Sequence, residues 1–240
     1  MMINLSKWLR ISLAIFLVGI LFFTFFRYFQ NFNYVSNLST WLTKIQSLTG
    51  YFDSHNDLKY TTTVFWRQTE PINFIFLVRN KSDLVKLFLN SWFEPADDLT
   101  PKTLKKLILA AYDGKNYQTA PMLPIFWNSK TQIFWFQKQD GELAFRHHIR
   151  IWNTGLMWKN YHIFVGCAVY DDGFKWKITH KIASDIDKER EYFFQKILST
   201  NMIWQYQKIQ WVKPIKNWKN FSYDEFFTDG KIYVLQLKSL

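Results

Sequence analysis

Phe145-Arg146-His147-His148-Ile149-Arg150-Ile151-Trp152 alternates in a way that only a strand makes sense of. Successive side chains on a strand point to opposite faces. Arg146, His148, Arg150 and Trp152 therefore share one face, and Phe145, His147, Ile149 and Ile151 share the other. Working outward, Ile125–Trp127 turns at Asn128-Ser129-Lys130 into a strand over Gln132–Lys138, and Asp140-Gly141 leads into the quoted stretch. Beyond it a loop leads to a strand over His162–Tyr170, and Asp171-Asp172-Gly173 is expected to turn into Phe174–His180. Short connections of this kind join antiparallel neighbours.

Farther out the pattern alternates between strands and helices. Lys59–Arg67, with its TTTVFW run, reads as a strand, and Pro71 opens the apolar run INFIFLV, expected for a central strand. Ser82 is the expected N-cap of a helix carrying Leu84, Leu87, Phe88 and Trp92. Thr100-Pro101 starts a second helix with Leu104, Leu107, Ile108 and Ala111 on one face, and Asp113-Gly114 ends it. Ser184 opens a third, running to about Ser199, through an S-x-x-D capping pattern at Asp187. Ile203–Val212 and Lys231–Leu237 read as strands, and Trp211–Lys219 as a solvated loop that interleaves bases with aromatics. The class predicted is α+β, a largely antiparallel sheet with helices packed on it.

Composition narrows the function. The chain has 240 residues, 48% hydrophobic and 20% charged, too apolar for a disordered chain. Its single cysteine, Cys167, excludes an internal disulfide and any multi-cysteine metal centre. Thirty basic against 19 acidic residues give +11, which favours anionic partners. The chain carries no P-loop, dinucleotide fingerprint, nucleophile elbow or HExxH motif.

Ile11–Phe26 reads ISLAIFLVGILFFTFF without a charge. As a helix it rises about 24 Å, and Trp8, Leu9, Tyr28 and Phe29 extend it towards the ~30 Å of a hydrocarbon core. A core helix is rarely apolar on every face, and no A-x-A-like cleavage site follows. The expectation is one N-terminal transmembrane helix in an anchor over residues 1–30 and a juxtamembrane segment over 31–58. A single domain follows over 59–240. Leu38, Trp41, Leu42, Ile45 and Leu48 recur at helical spacing within the juxtamembrane segment. Lys7, Arg10 and the terminal amine outweigh Arg27 and Lys44, so the body is expected outside the cytoplasm, on a single-pass cell-membrane protein.

Several blocks recur in a recognisable order. They are Pro71-Ile-Asn73, Ser91-Trp92, Ala96-Asp97, Tyr117-Gln-Thr-Ala-Pro121 and Phe136-Gln137-Lys138. Then come Arg146-His147-His148-Ile149-Arg150-Ile151-Trp152, Val165–Asp171, Ile178-Thr179-His180 and Asp185–Arg190. Over about residues 71–196 the chain resembles the LssY C-terminal domain family. That resemblance implies a bacterial, membrane-associated domain, sometimes found beside a type 2 phosphatidic acid phosphatase domain. The family's own function is not established. Relatives often carry two histidines after the threonine, and here His180-Lys181 stands instead.

The candidate ligand-binding residues are Arg146, His148, Arg150, His180 and Lys138. Two guanidiniums and an imidazole on one strand face repel unless an anion intervenes, and arginine grips phosphate or carboxylate bidentately. Protein carboxylates offer the other solution: Asp171, Asp185 or Glu189 would pair the arginines and fix the sheet to the last helix. His148 and His147 are the candidate catalytic acid/base residues if the chain hydrolyses phosphate esters. A metal set of His148, His180, Asp171 and Asp185 lacks any supporting spacing, so no metal or cofactor is expected. Three readings follow. The first is a membrane-anchored envelope protein binding an anionic lipid or phosphorylated precursor, with no nucleic-acid partner. The second is a phosphate-ester hydrolase. The third is a structural or assembly protein without a ligand.

Overall fold

The computed structural model describes Gly19 and residues 42–113, 115–175 and 179–238. The span expected near residues 1–30, and residues 31–41, lie outside the described residues, Gly19 apart. Among the described residues no helix is long and apolar enough to cross a membrane.

A nine-stranded sheet forms around the strand read first. Its strands are β1 (Thr43–Lys44), β2 (Phe74–Val78), β3 (Glu94–Pro95), β4 (Phe134–Gln139), β5 (Phe145–Trp158), β6 (Tyr161–Lys175), β7 (Thr179–Ile182), β8 (Ile203–Gln210) and β9 (Lys231–Leu237). They run in the order β8-β9-β2-β6-β5-β4-β3, with β1 added to β5 and β7 to β6. Pairing is antiparallel except between β9 and β2 and between β1 and β5. Four helices accompany the sheet: α1 (Leu48–Asp53), α2 (Lys81–Asn90), α3 (Pro101–Asp113) and α4 (Ile186–Leu198).

Each face of the sheet has its own core. Phe74, Phe76 and Val78 of β2 pack with Leu84, Leu87 and Phe88 of α2 and with Phe193, Phe194 and Ile197 of α4. Ile75 and Leu77, pointing the other way, pack with Phe52 of α1, Trp127, Trp211 and Phe226. The second core is closed partly by a small four-stranded sheet (Gln68–Pro71, Tyr60–Thr62, Phe126–Trp127, Lys130–Thr131) and a hairpin (Ile215–Lys219 with Glu225–Thr228). Both faces of β2 are buried, which is why INFIFLV is apolar without alternation.

The elements differ from expectation in instructive places. Asp171-Asp172-Gly173 is not a turn. β6 runs straight through it to Lys175, with an irregular register between Asp171 and Phe174 and Gly173 at φ +111°. An extra residue absorbed in this way is a bulge against β7, while the ladder with β5 stays regular here and pairs Asp171 with Arg146. β5 is longer than the eight residues first read, ending at Trp158. The strand near Lys59 covers only Tyr60–Thr62, and Trp66 at φ +59° turns the chain. Asn80, not Ser82, is the N-cap of α2, and Asp185, not Ser184, caps α4 through Lys188 N–H. The helix expected near residues 38–48 gives way to β1 at Thr43–Lys44, and α1 begins only at Leu48. Trp211–Lys219, read as a loop, contributes a strand to the hairpin.

Candidate functional site

β5 delivers the polar face that its alternation predicts. Arg146, His148 and Arg150 point away from α2 and α4, on the side of Trp152 and Cys167. All three are buried, Arg150 being 8% exposed. β6 supplies Asp171 directly opposite Arg146, and β4 supplies Gln137 opposite His148. β7 brings in His180, opposite Phe174 of β6.

Arg146 is engaged through Nε and Nη1. Its Nε donates to Asp171 Oδ2 at 2.6 Å, and its Nη1 donates to Gln137 Oε1 at 2.9 Å and to the Ala120 carbonyl at 3.3 Å. The same Asp171 oxygen lies 3.4 Å from His148 Nδ1 and 3.3 Å from His180 Nδ1. Neither histidine nitrogen reaches hydrogen-bond geometry there. Burial pushes the Asp171 carboxyl up, and the surrounding His148 and Arg146 outweigh it, holding the group well below the usual carboxylate range. Burial pushes both imidazoles down to about 4. At neutral pH they are uncharged, and Arg146 is the cation that keeps Asp171 ionised.

Arg150 is placed differently. Its Nη1 lies 3.0 Å from His148 Nε2. A guanidinium can only donate, so Nε2 must accept and neutral His148 carries its proton on Nδ1, towards Asp171. Arg150 Nε is buried without a hydrogen-bond partner, and among the described residues Arg150 forms no ion pair. Glu70, whose charge Arg150 feels, accepts instead from Asn220 Nδ2 at 2.9 Å.

The remaining candidates lie elsewhere. His147 is on the helix side, its Nδ1 2.9 Å from both Glu189 carboxylate oxygens and its ring stacked on Tyr192 at 3.8 Å. It is this histidine, not an arginine, that ties the sheet to α4. Lys138 is in register with His147 and so faces away from the arginines. Asp185 is occupied as the α4 N-cap. His148, His180 and Asp171 do meet, but Arg146 holds the shared oxygen. Among the described residues no three or more His, Cys, Asp or Glu side chains are arranged to hold a metal ion. Cys167 lies under the cluster with its thiol pushed up by burial, which makes it a poor nucleophile.

A cleft of about 260 Å³ opens beside the cluster, lined by Trp92, Glu94, Gln118, Gln137, Lys138 and Gln139. Gln137 belongs to both places. Sequence reasoning names Gln137 only in a family block, and places Trp92 on a helix that in fact ends at Asn90. Trp92 carried a signal, since it lies two residues past the end of a helix, where glycine is common. The residue stands at φ +63°, which costs a side-chain-bearing residue about 1 kcal/mol.

The family model described as LssY C-terminus matches residues 54–232, reaching beyond the 71–196 stretch that carried the resemblance and taking in the hairpin. No curated protein and no solved structure matches the chain. With about three-quarters of its length matched, and the Arg146–Trp152 block at the heart of the sheet, the chain belongs to the LssY C-terminus family.

Proposed function

We propose that this chain is a membrane-anchored envelope protein whose buried cluster receives an anionic, phosphate-bearing group from a lipid or an envelope precursor. One observation carries the reading. Asp171 is neutralised by Arg146, and Arg150 is left as a buried guanidinium with an unpartnered Nε. A buried charge without a counter-ion is costly, and an anion that reached it would be gripped by a planar donor in a water-poor site. Segment 115–125 covers the cluster on one side. Its Ala120 carbonyl caps Arg146 and Gln137, and α3, which precedes it, buries only Ala110.

The geometry lends less to hydrolysis. His148 has Nε2 committed to Arg150 and Nδ1 facing Asp171. His147 is across the sheet from both arginines. Neither imidazole is placed to pass a proton to a phosphate held by Arg146 and Arg150. The pairing of Arg146 is what a ligand-free structural network would also use, so the test must separate those two.

Thermal melting of the full chain in detergent makes the separation. Phosphate, sulfate or dispersed phosphatidic acid should raise the melting temperature, as any ligand of the native state does. Arg150→Met keeps the volume and removes the charge. Its apo form should melt no earlier than wild type, because relief of the unpaired charge outweighs the hydrogen bond lost at His148. It should no longer respond to the anions. A wild type indifferent to all three additives, with Arg150→Met melting far earlier, would leave a structural network instead.

A further inference from the structure

α2 ends in a turn that glycine usually makes. Ser91 is the C-cap, Trp92 N–H donates to the Leu89 carbonyl at 3.1 Å, and Phe93 N–H reaches back to the Phe88 carbonyl at 3.1 Å. These are the two closing bonds of a Schellman motif, whose left-handed position favours glycine because it has no Cβ. Here that position holds Trp92 at φ +63°, with 82% of its surface exposed. Folding gains neither burial nor a relaxed backbone from this tryptophan. Residues kept in strained conformations cluster where ligands are handled.

The indole stands on the rim of the cleft, and the other lining side chains say what it would take. Gln137 is already engaged with Arg146 and the Ala120 carbonyl, which leaves the amides Gln118 and Gln139, the acid Glu94 and the base Lys138 to face a ligand. Glu94 is fixed there by the pairing of β3 with β4, in register with Gln137. Gln139 donates to the Tyr117 carbonyl at 2.7 Å and leaves its Oε1 buried without a partner. An apolar ligand would strand these groups, and a simple anion would face Glu94. A flat C–H face for the indole, ringed by hydroxyls that both donate and accept, satisfies all of them. We infer that the cleft beside Trp92 is a carbohydrate site that takes a single pyranose ring. This goes beyond the anion reading and stands without it, because Trp92 and Arg150 are separate observations.

Saturation-transfer NMR on the full chain in nanodiscs tests the inference, with methyl β-glucopyranoside, methyl α-mannopyranoside and N-acetylglucosamine as probes at millimolar concentration. Ring protons of at least one sugar should receive saturation, and Trp92→Ala should abolish the transfer. Trp92→Gly should abolish it too while raising the melting temperature, which shows that the protein is folded and the strain released. Arg150→Met should keep the transfer, separating the cleft from the buried cluster. Transfer to none of the three sugars, or undiminished transfer in Trp92→Ala, overturns the assignment. So does loss in Arg150→Met, which would place the sugar at the cluster.

Discussion

Two neutral imidazoles beside an ionised carboxylate make the buried cluster sensitive to acid. His148 and His180 titrate near 6.5 in an unfolded chain, and burial pushes both down to about 4 in the fold. Between those values the unfolded state binds more protons, so stability must fall as the pH drops from about 6.5 to about 4. At 1.36 kcal/mol per unit, His148 alone accounts for roughly 3 kcal/mol of that loss. His148→Gln keeps an acceptor for Arg150 and removes the titration. Urea midpoints of the variant measured from pH 7 to pH 4 should fall with about half the wild-type slope; an unchanged slope would move the acid sensitivity elsewhere. The placement of these side chains was partly legible in the sequence. The two-residue period alone separates Arg146, His148 and Arg150 from His147, and the structure keeps that separation. Asp171 stands among three candidate acids, but its strand setting is hidden, because Asp-Asp-Gly has the composition of a turn and only the paired strand shows it to be a bulge. The buried, unpartnered Nε of Arg150 cannot be read from any pattern, since it depends on where Glu70 and Asn220 arrive from distant chain.

At the scale of elements, α4 is held by one arginine. Arg190, 1% exposed, contacts Asp187 Oδ1, Asp229 Oδ1 and the Lys231 carbonyl, each at 2.8 Å, and Glu191 Oε1 at 2.9 Å. Asp187 also accepts from Thr228 Oγ1 and from Asp229 N–H, both at 2.6 Å. The helix is thereby fixed to the end of the hairpin and the start of β9. Arg190→Ala strands several acids at once and should cost on the order of 3 kcal/mol, read as a fall in urea midpoint. Arg190→Lys should recover only part, because an ammonium cannot supply the forked donors. A loss within experimental error would show the acids to be solvated without it. The sequence reveals the start of α4 to within two residues but not this network, whose Asp229 and Lys231 lie about forty residues away. The same distance problem hides the parallel pairing of β9 with β2, which joins Tyr233 to Phe74. It also hides the hairpin. Pro214 and three lysines give Trp211–Lys219 the look of a loop, and only burial of Phe226 against the second core accounts for its strands. The alternating meander from β4 to β6, by contrast, is local, and the sequence places its strands in order although it reads the ends of β5 and β6 short.

For the whole molecule, the proposed anchor must be tested first, and then which side of a membrane would carry the cleft and the cluster. The +11 net charge lies mostly in the body, because only Lys7, Arg10 and Arg27 flank the uncharged run Ile11–Phe26. A body so charged is drawn to anionic headgroups on whichever side it occupies, so attachment alone would not prove a span. Salt separates the two attachments, since surface attraction is screened within a Debye length of about 3 Å at 1 M while burial of an apolar helix is not. The chain lacking residues 1–30 should therefore leave bacterial membranes in a 1 M salt wash, and the full chain should stay. The orientation proposed rests on the basic residues ahead of the run, which favour a cytoplasmic N-terminus and would put the body outside. Protease added to intact spheroplasts should then digest the body, with nothing further lost on lysis. Protection in spheroplasts and digestion only after lysis would put Arg150 and the Trp92 cleft in the cytoplasm. A truncated chain that resists the salt wash would mean that the body holds the membrane by itself.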